Sequence, residues 1–231
     1  MDTPGNKRIL FVVTNHDQLG NTGKKTGYFL REVSYPYMAL RDAGYVIDFA
    51  SPRGGVAPMD PISNDMKDEV NKAFTEDSAI MESLLNTMSP EDVSAADYAA
   101  IFYAGGHGTM WDFPDSESLA LIAAQIYANG GVLGAICHGP SALVNLKLDD
   151  GTYLVAGKRL AAFTDEEEHA VELENVVPFL LASKLQERGA IHTKAKNFKP
   201  HVEIDGRLVT GQNPPSAKDM GAAMVKALSE I

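Results

Sequence analysis

VLGAICHGPSALV, residues 132–144, joins a short apolar run to a Gly-Pro pair and holds the only cysteine of the chain between them. The apolar run predicts a buried strand, and Gly139 with Pro140 predicts the start of a helix. Cys137 then lies in a sharp turn at the carboxyl end of a strand, where open α/β sheets collect ligands and catalytic groups. Free cysteine is usually a buried apolar residue, so its neighbours must decide between core packing and catalysis.

Those neighbours favour a reactive thiol. His138 follows the cysteine directly, and a helix N-terminus favours negative charge, so the sequence predicts a thiolate at Cys137 with a pKa below that of a free thiol. Small residues nearby, Gly134, Ala135 and Gly139, are typical of a tight strand-to-helix turn.

Apolar runs alternate with amphipathic stretches along almost the whole chain, which predicts an α/β fold with a doubly wound, mostly parallel sheet sandwiched by helices. Strands are predicted at 8–14, 45–51, 98–108, 132–137 and 159–164, with a hairpin at 201–211 that turns at Asp205-Gly206. Helices are predicted at 26–44, 116–131, 170–189 and 216–231. Pro36 predicts a kink or break in the first of them.

A single domain covering residues 1–231 is the simplest organisation, since the chain shows no internal repeat and its length suits one large domain. A segment of about residues 52–90, rich in Pro, Gly, Asp and Asn before polar helical stretches, is predicted to be a small helical insertion. Its apolar residues could form core or an exposed binding surface; they are Met59, Ile62, Met66, Phe74, Ile80 and Met81.

Composition excludes several classes of function. The chain has 231 residues with 20 Lys and Arg against 31 Asp and Glu, a net charge of −11. That charge repels phosphate backbones and anionic membranes, so neither nucleic acid nor a membrane is an expected partner. No apolar run approaches the roughly 18 residues of a membrane span. One cysteine forms no internal disulfide, and no signal peptide is evident, so we expect a soluble cytoplasmic protein.

A glycine cluster, AGGHGTMWD at residues 104–112, ends the strand predicted before that of Cys137. Gly105 and Gly106 either form an ordinary turn or expose backbone N–H groups that stabilise an oxyanion together with the N–H of His138. His107 is either a substrate contact or a structural loop residue. Trp111 could cap the pocket or pack at a dimer face, and packing is favoured because a large aromatic side chain is usually buried.

Four motifs occur in the same order as in a known family: KTGYFLRE, AGGHGT, AICHGP and FTDEEE. With these motifs the chain resembles the ThiJ/PfpI superfamily, which has the class I glutamine amidotransferase-like, flavodoxin-like fold. It is most similar to the glyoxalase III and heat-shock chaperone branch, and the resemblance spans nearly the whole chain.

The resemblance implies four catalytic residues. Cys137 corresponds to the nucleophile, His138 to the catalytic histidine, and Glu168 to the acidic residue that orients the histidine. Glu32 corresponds to a glutamate that approaches the sulfur and is protonated. Its position among Phe29, Leu30 and Val33 also indicates a buried carboxyl, and buried carboxyls usually have a functional role. The run of acids at 165–168 leaves Glu166 as an alternative to Glu168.

The implied function is that of a glutathione-independent glyoxalase, which converts methylglyoxal and related 2-oxoaldehydes to 2-hydroxy acids through a hemithioacetal on Cys137. Deglycation of methylglyoxal adducts would use the same residues, and a stress-related holdase chaperone is the alternative from another class. A glutaminase and a cysteine peptidase are less expected, and the peptidase would need oligomeric completion of the site. The resemblance also implies a homodimer.

No cofactor is expected for this chemistry. His16, His169, His192 and His201 show neither i, i+4 pairing nor a cysteine partner, so the sequence indicates no metal site.

Overall fold

A six-stranded sheet organises the computed structural model, which describes residues 8–231. The strand order is β2-β1-β3-β4-β8-β7, and every neighbouring pair is parallel except β7 with β8. The strands of this sheet are β1 (Arg8–Val12), β2 (Val46–Ala50), β3 (Ala100–Tyr103), β4 (Val132–Ile136), β7 (Val202–Asp205) and β8 (Leu208–Gly211). The predicted doubly wound, mostly parallel sheet is confirmed.

Helices cover both faces of the sheet, and the described residues contain eight α-helices. They are α1 (Leu30–Asp42), α2 (Glu69–Glu76), α3 (Ser78–Leu85), α4 (Thr109–Asp112), α5 (Glu117–Ala128), α6 (Asp165–Ala170), α7 (Leu181–Glu187) and α8 (Ala217–Ser229). Alternate residues of β1 point to opposite faces, so that Leu10 joins the core under α5 and α7, while Phe11 joins the core under α1 and α8. Both faces are therefore buried, as the continuous apolar runs of the parallel strands require.

Contrary to expectation, Pro36 does not break α1. It lies buried inside one helix that runs from Leu30 to Asp42. The helix packs closely against α8, where a Cβ on Gly221 would lie 2.9 Å from Cβ of Ala39 and 3.2 Å from Cα of Pro36. Tertiary packing on both sides of the proline thus holds the helix together where local propensity would interrupt it.

The helix predicted over 170–189 is wrong in its first half. Helix α6 ends at Ala170, Glu172 takes a left-handed φ of 60°, and the chain becomes helical again only at Leu181. Pro178 lies in the intervening segment and supplies no N–H for a helical hydrogen bond. The reversal places α6 and the residues after it beside the strand ends.

The strand predicted at 159–164 is shorter than expected and lies outside the main sheet. Only β5 (Arg159–Leu160) is extended and paired, with β6 (Ile191–His192), in a separate two-stranded sheet. The following residues lead to the carboxyl edge of the main sheet, where the N–H of Phe163 bonds the carbonyl of Cys137 at 2.9 Å. None of the helices within residues 8–231 is both long and apolar enough to cross a membrane.

The segment between β2 and β3 contains α2 and α3, as expected, and it contributes mainly to the core. Phe74 and Ile80 are buried, while Met59 and Met81 pack against the same cluster from partly buried positions. Of the six apolar residues named for this segment in the sequence, only Ile62 and Met66 are exposed. Four of these six residues therefore belong to the core, and two lie at the surface.

Candidate active site

Cys137 lies at the carboxyl end of β4 in a strained turn. Its φ is 58°, a left-handed value that non-glycine residues seldom adopt. The N–H of Cys137 bonds the carbonyl of Gly211 at 2.8 Å, and the chain then enters a 3₁₀ turn, Gly139–Leu143. The predicted nucleophile turn is present, although the helix after it is a short 3₁₀ turn and not an α-helix.

His138 connects the sulfur of Cys137 to a buried carboxylate. The Sγ atom of Cys137 lies 3.4 Å from Nδ1 of His138, and Nε2 of His138 lies 2.7 Å from Oε2 of Glu168. Burial would raise the pKa of Glu168, but the neighbouring histidines outweigh it and hold that pKa far below the usual range. Glu168 is therefore an acceptor, so the proton of neutral His138 lies on Nε2 and its Nδ1 lone pair faces the sulfur.

Neutral His138 is favoured over the imidazolium form. Burial lowers the pKa of His138, and the nearby His107 lowers it further, against the opposing effect of Glu168. The imidazole is then a proton acceptor at neutral pH, which is what a thiol nucleophile requires of its base.

His107 shares the same carboxylate. Its Nε2 lies 2.8 Å from Oε1 of Glu168, and its ring centroid is 4.1 Å from that of His138. Its side chain is about one-fifth exposed (18%), and it lines the cavity over the sulfur. His107 thus bonds Glu168 and also faces the cavity, and its contact with a substrate stays a prediction.

Glu32 lies beside the sulfur with its carboxyl fully buried. A Cβ built on Gly105 would lie 2.3 Å from Oε2 of Glu32 and 2.9 Å from Cβ of Cys137. The side chains of Glu32 and Cys137 therefore both pack directly against Gly105, where no other side chain would fit. Neither carboxyl oxygen has a conventional hydrogen-bond partner among residues 8–231. Burial raises the pKa of Glu32 well above its ordinary value and so favours the neutral acid over the carboxylate.

The expected low pKa of Cys137 is wrong. Burial raises the pKa of the thiol well above its ordinary value, and the negative charge of an ionised Glu32 raises it further. The backbone N–H of His138 acts in the opposite direction but is the weaker influence. The pair of Cys137 and Glu32 must therefore keep at least one proton, and the sulfur needs a base during attack.

The glycine pair at the end of β3 has a steric purpose that the sequence did not reveal. Gly106 has a φ of 111°, and a Cβ there would lie 2.2 Å from the carbonyl oxygen of Gly27. The carbonyl of Gly105 accepts from the N–H of Phe29 at 2.9 Å. These glycines let the segment before α1 approach the nucleophile; Gly106 lines the cavity, and its oxyanion role stays a prediction.

The capping box of α6 separates the acidic candidates. Thr164 and Glu167 bond each other reciprocally at the start of the helix, and Glu167 also accepts from the N–H of Phe198 at 2.7 Å. Glu166 is exposed and pairs with Lys194, away from the histidines. Of the two alternatives, Glu168 is the one beside His138. The Thr-x-x-Glu spacing was the sequence signal that could have assigned Glu167 to capping.

An apolar cavity of about 660 Å³ opens above the sulfur. Phe163, which the sequence analysis did not single out, lies with its ring centroid 4.4 Å from that of His138, and Phe198 follows at 6.5 Å from Phe163. Leu19, Ile62 and further apolar residues surround the mouth. No spacing in the sequence links these residues, because they come from loops that only the fold brings together.

The donor atoms of His107, His138 and Glu168 lie within 4.8 Å of one another, and these residue types bind zinc in many proteins. In this structure they bond each other through both histidine Nε2 atoms and both carboxylate oxygens.

Trp111 packs as expected, stacked on His16 with ring centroids 5.0 Å apart.

The sequence of this chain is similar to those of known glyoxalases along nearly its whole length. The chain is 34% identical over 239 residues to the glutathione-independent glyoxalase HSP31 of Saccharomyces cerevisiae, covering 96% of this chain and 98% of the yeast protein. It is 30% identical over 226 residues to glyoxalase 3 of Candida albicans, covering 91% and 93% of the two chains.

Solved structures agree with these relatives. The crystal structure of glyoxalase III from Candida albicans superimposes with a TM-score of 0.87 at 30% identity, covering 95% of this chain and 96% of that one. The Rapid Encystment Protein of 24 kDa from Francisella tularensis superimposes with a TM-score of 0.93 at 40% identity, covering 96% and 99%. The model of the DJ-1/PfpI family matches residues 26–227, and the chain belongs to that family.

Proposed function

We propose that this protein is a glutathione-independent glyoxalase that converts methylglyoxal and related 2-oxoaldehydes to 2-hydroxy acids. The observation that carries the proposal is the continuous line from Sγ of Cys137 through His138 to Glu168 at the base of an open cavity. The yeast and Candida relatives, a glutathione-independent glyoxalase and glyoxalase 3, support the same reaction.

The first step joins the cysteine to the aldehyde. As Sγ of Cys137 attacks the aldehyde carbon C1, Nδ1 of His138 accepts the thiol proton, and the new alkoxide takes up a proton to give a hemithioacetal. Because the thiol's pKa is raised, attack and proton transfer are coupled. The N–H groups of His138 and Gly106 are the proposed donors to the developing oxyanion.

The second step moves hydrogen within the substrate. His138, or His107 beside it, removes the proton from C1, the electron pair forms an enediolate, and C2 receives a proton. C1 is oxidised to the thioester level while C2 is reduced to an alcohol, so no external oxidant is needed. Water then hydrolyses the thioester, which releases the 2-hydroxy acid and regenerates the thiol. The chain's own residues and water suffice for these reaction steps, without a cofactor.

Glu32 is the proposed neutral partner of the sulfur. Its buried, unpartnered carboxyl would donate a hydrogen bond to the thiolate as that charge develops. A carboxylate there would repel the same charge, so the fold stabilises the protonation state that helps the reaction.

The proposal is tested by adding methylglyoxal to the pure protein without glutathione and measuring lactate. Formation of lactate in proportion to methylglyoxal consumed supports it, and consumption without lactate contradicts it. Deglycation is tested separately with preformed adducts while free methylglyoxal is trapped; continued release under trapping would establish that second activity. The motif resemblance also supports a homodimer, which sedimentation velocity would measure.

A further inference from the structure

The cavity over Cys137 is much larger than the smallest substrate of the proposed reaction. A volume of about 660 Å³ falls within the range of roughly 300–1,000 Å³ that is typical of sites for drug-sized ligands. Methylglyoxal carries only a methyl group beyond its two carbonyls. Most of the cavity would therefore remain filled with water when methylglyoxal is bound at the sulfur.

The wall that leads outward from the catalytic histidine is aromatic. The ring centroid of Phe163 is 4.4 Å from that of His138, and the Phe198 ring lies 6.5 Å beyond it at the mouth. A substrate whose C1 lies at Sγ can place its substituent along this aromatic wall, while Lys24, Lys25 and Asp60 also line the cavity. Such a surface stabilises an apolar substituent by removing it from water.

Three exposed apolar side chains lie at the same mouth. Ile62 is 85% exposed, Phe198 is 44% exposed and Val171 is 39% exposed, and all three line this cavity. They come from three separate segments of the chain: the loop before α2, the loop before β7 and the end of α6. Exposed apolar groups that converge on a cavity are typical of a ligand-binding site.

Phe198 is also held in place at a conformational cost. Its φ is 57°, in the left-handed region that a bulky residue seldom adopts, and its N–H is bonded to Oε1 of Glu167 at 2.7 Å. Glu167 in turn caps α6, the helix that carries Glu168. The backbone of Phe198 is thus tied to α6, the element that orients the catalytic histidine.

We infer that the site takes 2-oxoaldehydes with a long alkyl or aryl substituent in preference to methylglyoxal, and that Phe163, Phe198, Ile62 and Val171 bind this substituent. The inference rests on the proposed glyoxalase activity and names the substrate class of the same site. The reaction is unchanged: the aldehyde carbon bonds to sulfur, and the substituent on C2 lies along the aromatic wall.

The test is kcat/KM for a series of straight-chain 2-oxoaldehydes in which the substituent grows from methyl through propyl to pentyl and heptyl. These substituents change the electronic character of the carbonyls little, so differences report binding of the chain. We expect kcat/KM to rise about two- to fourfold for each added methylene until the chain passes Phe198, since a buried methylene contributes at most about that factor. Phenylglyoxal tests the aryl case.

Ile62→Ser and Phe198→Ala are the matched variants, and Leu121→Ser is the control. Leu121 is 64% exposed on α5 and does not line the cavity. We expect the dependence on chain length to flatten in the two cavity variants and to stay unchanged in the control. Turnover of methylglyoxal with no increase along the series in the wild-type protein would overturn the inference and leave the proposed function standing. Turnover of none of the aldehydes would overturn both.

Discussion

The Nε2 atom of His138 lies 2.7 Å from Oε2 of Glu168, where the two side chains are 1% and 3% exposed. A carboxylate at that position fixes the proton of the imidazole on Nε2. The opposite nitrogen, Nδ1, is then available to the sulfur of Cys137 at 3.4 Å. The carboxylate therefore decides which nitrogen acts as the base.

Glu168→Gln is expected to lower kcat for methylglyoxal by roughly 100-fold or more, the size of contribution that a correctly oriented general base makes. The amide of glutamine can donate to Nε2, which moves the imidazole proton to Nδ1 and removes the acceptor that the thiol needs. Glu166→Gln is the matched control, because Glu166 is exposed and pairs with Lys194. Equal kcat values for the two variants would exclude Glu168 from the orienting role.

Gly105→Ala is expected to destabilise the fold and to reduce turnover strongly. The added Cβ would meet Oε2 of Glu32 at 2.3 Å and the carbonyl oxygen of Ile136 at 2.6 Å, and overpacking of this kind costs about 1–3 kcal/mol. Gly151→Ala is the control: its φ is 81° and no atom lies within 4 Å, so backbone strain alone acts there. Urea unfolding and steady-state assays compare the two. Wild-type turnover in Gly105→Ala would show that the close approach of Glu32 is unnecessary.

The stability of the protein should depend on pH through Glu32. Because its pKa is raised in the folded state, the folded protein keeps a proton that the unfolded chain has released above about pH 4.5. The unfolded state then binds fewer protons, so this contribution to the free energy of unfolding falls as pH rises, by at most about 1.4 kcal/mol per pH unit.

Glu32→Gln removes that titration while it retains the size and neutrality of the side chain. We therefore expect the free energy of unfolding of wild type minus that of Glu32→Gln to decrease as the pH rises above about 4.5 in urea titrations. A difference that does not change with pH would mean that Glu32 titrates alike in the folded and unfolded states, against its buried position beside Cys137.

Alkylation of the free enzyme tests the raised pKa of Cys137. The rate of reaction with iodoacetamide should follow a titration whose midpoint lies above that of N-acetylcysteine measured in parallel, since burial opposes the thiolate. Only one thiol is present, so mass spectrometry assigns the modification without ambiguity. A midpoint below that of the reference thiol would show that the neighbouring donors outweigh burial.

Much of the site could be predicted because its residues lie where strands end. Cys137 and His138 follow a clear apolar run, and the parallel sheet brings the end of β3 beside them. The pKa of Cys137 could not be inferred, since burial and the approach of Glu32 past Gly105 depend on tertiary packing. The aromatic wall of Phe163 and Phe198 could not be predicted either. Phe198 is positioned by its own left-handed φ and by its hydrogen bond to Glu167 at the start of α6, and neither feature can be read from the sequence.

The most direct test of the account compares lactate formed from methylglyoxal, without glutathione, by the wild-type protein and by Cys137→Ala. The Cβ of Cys137 is retained in the variant, and only the sulfur is removed. We predict that wild type forms one lactate for each methylglyoxal consumed and that the variant forms none above the rate without protein. Equal lactate formation by the two proteins would contradict the account, because no hemithioacetal can form in the variant.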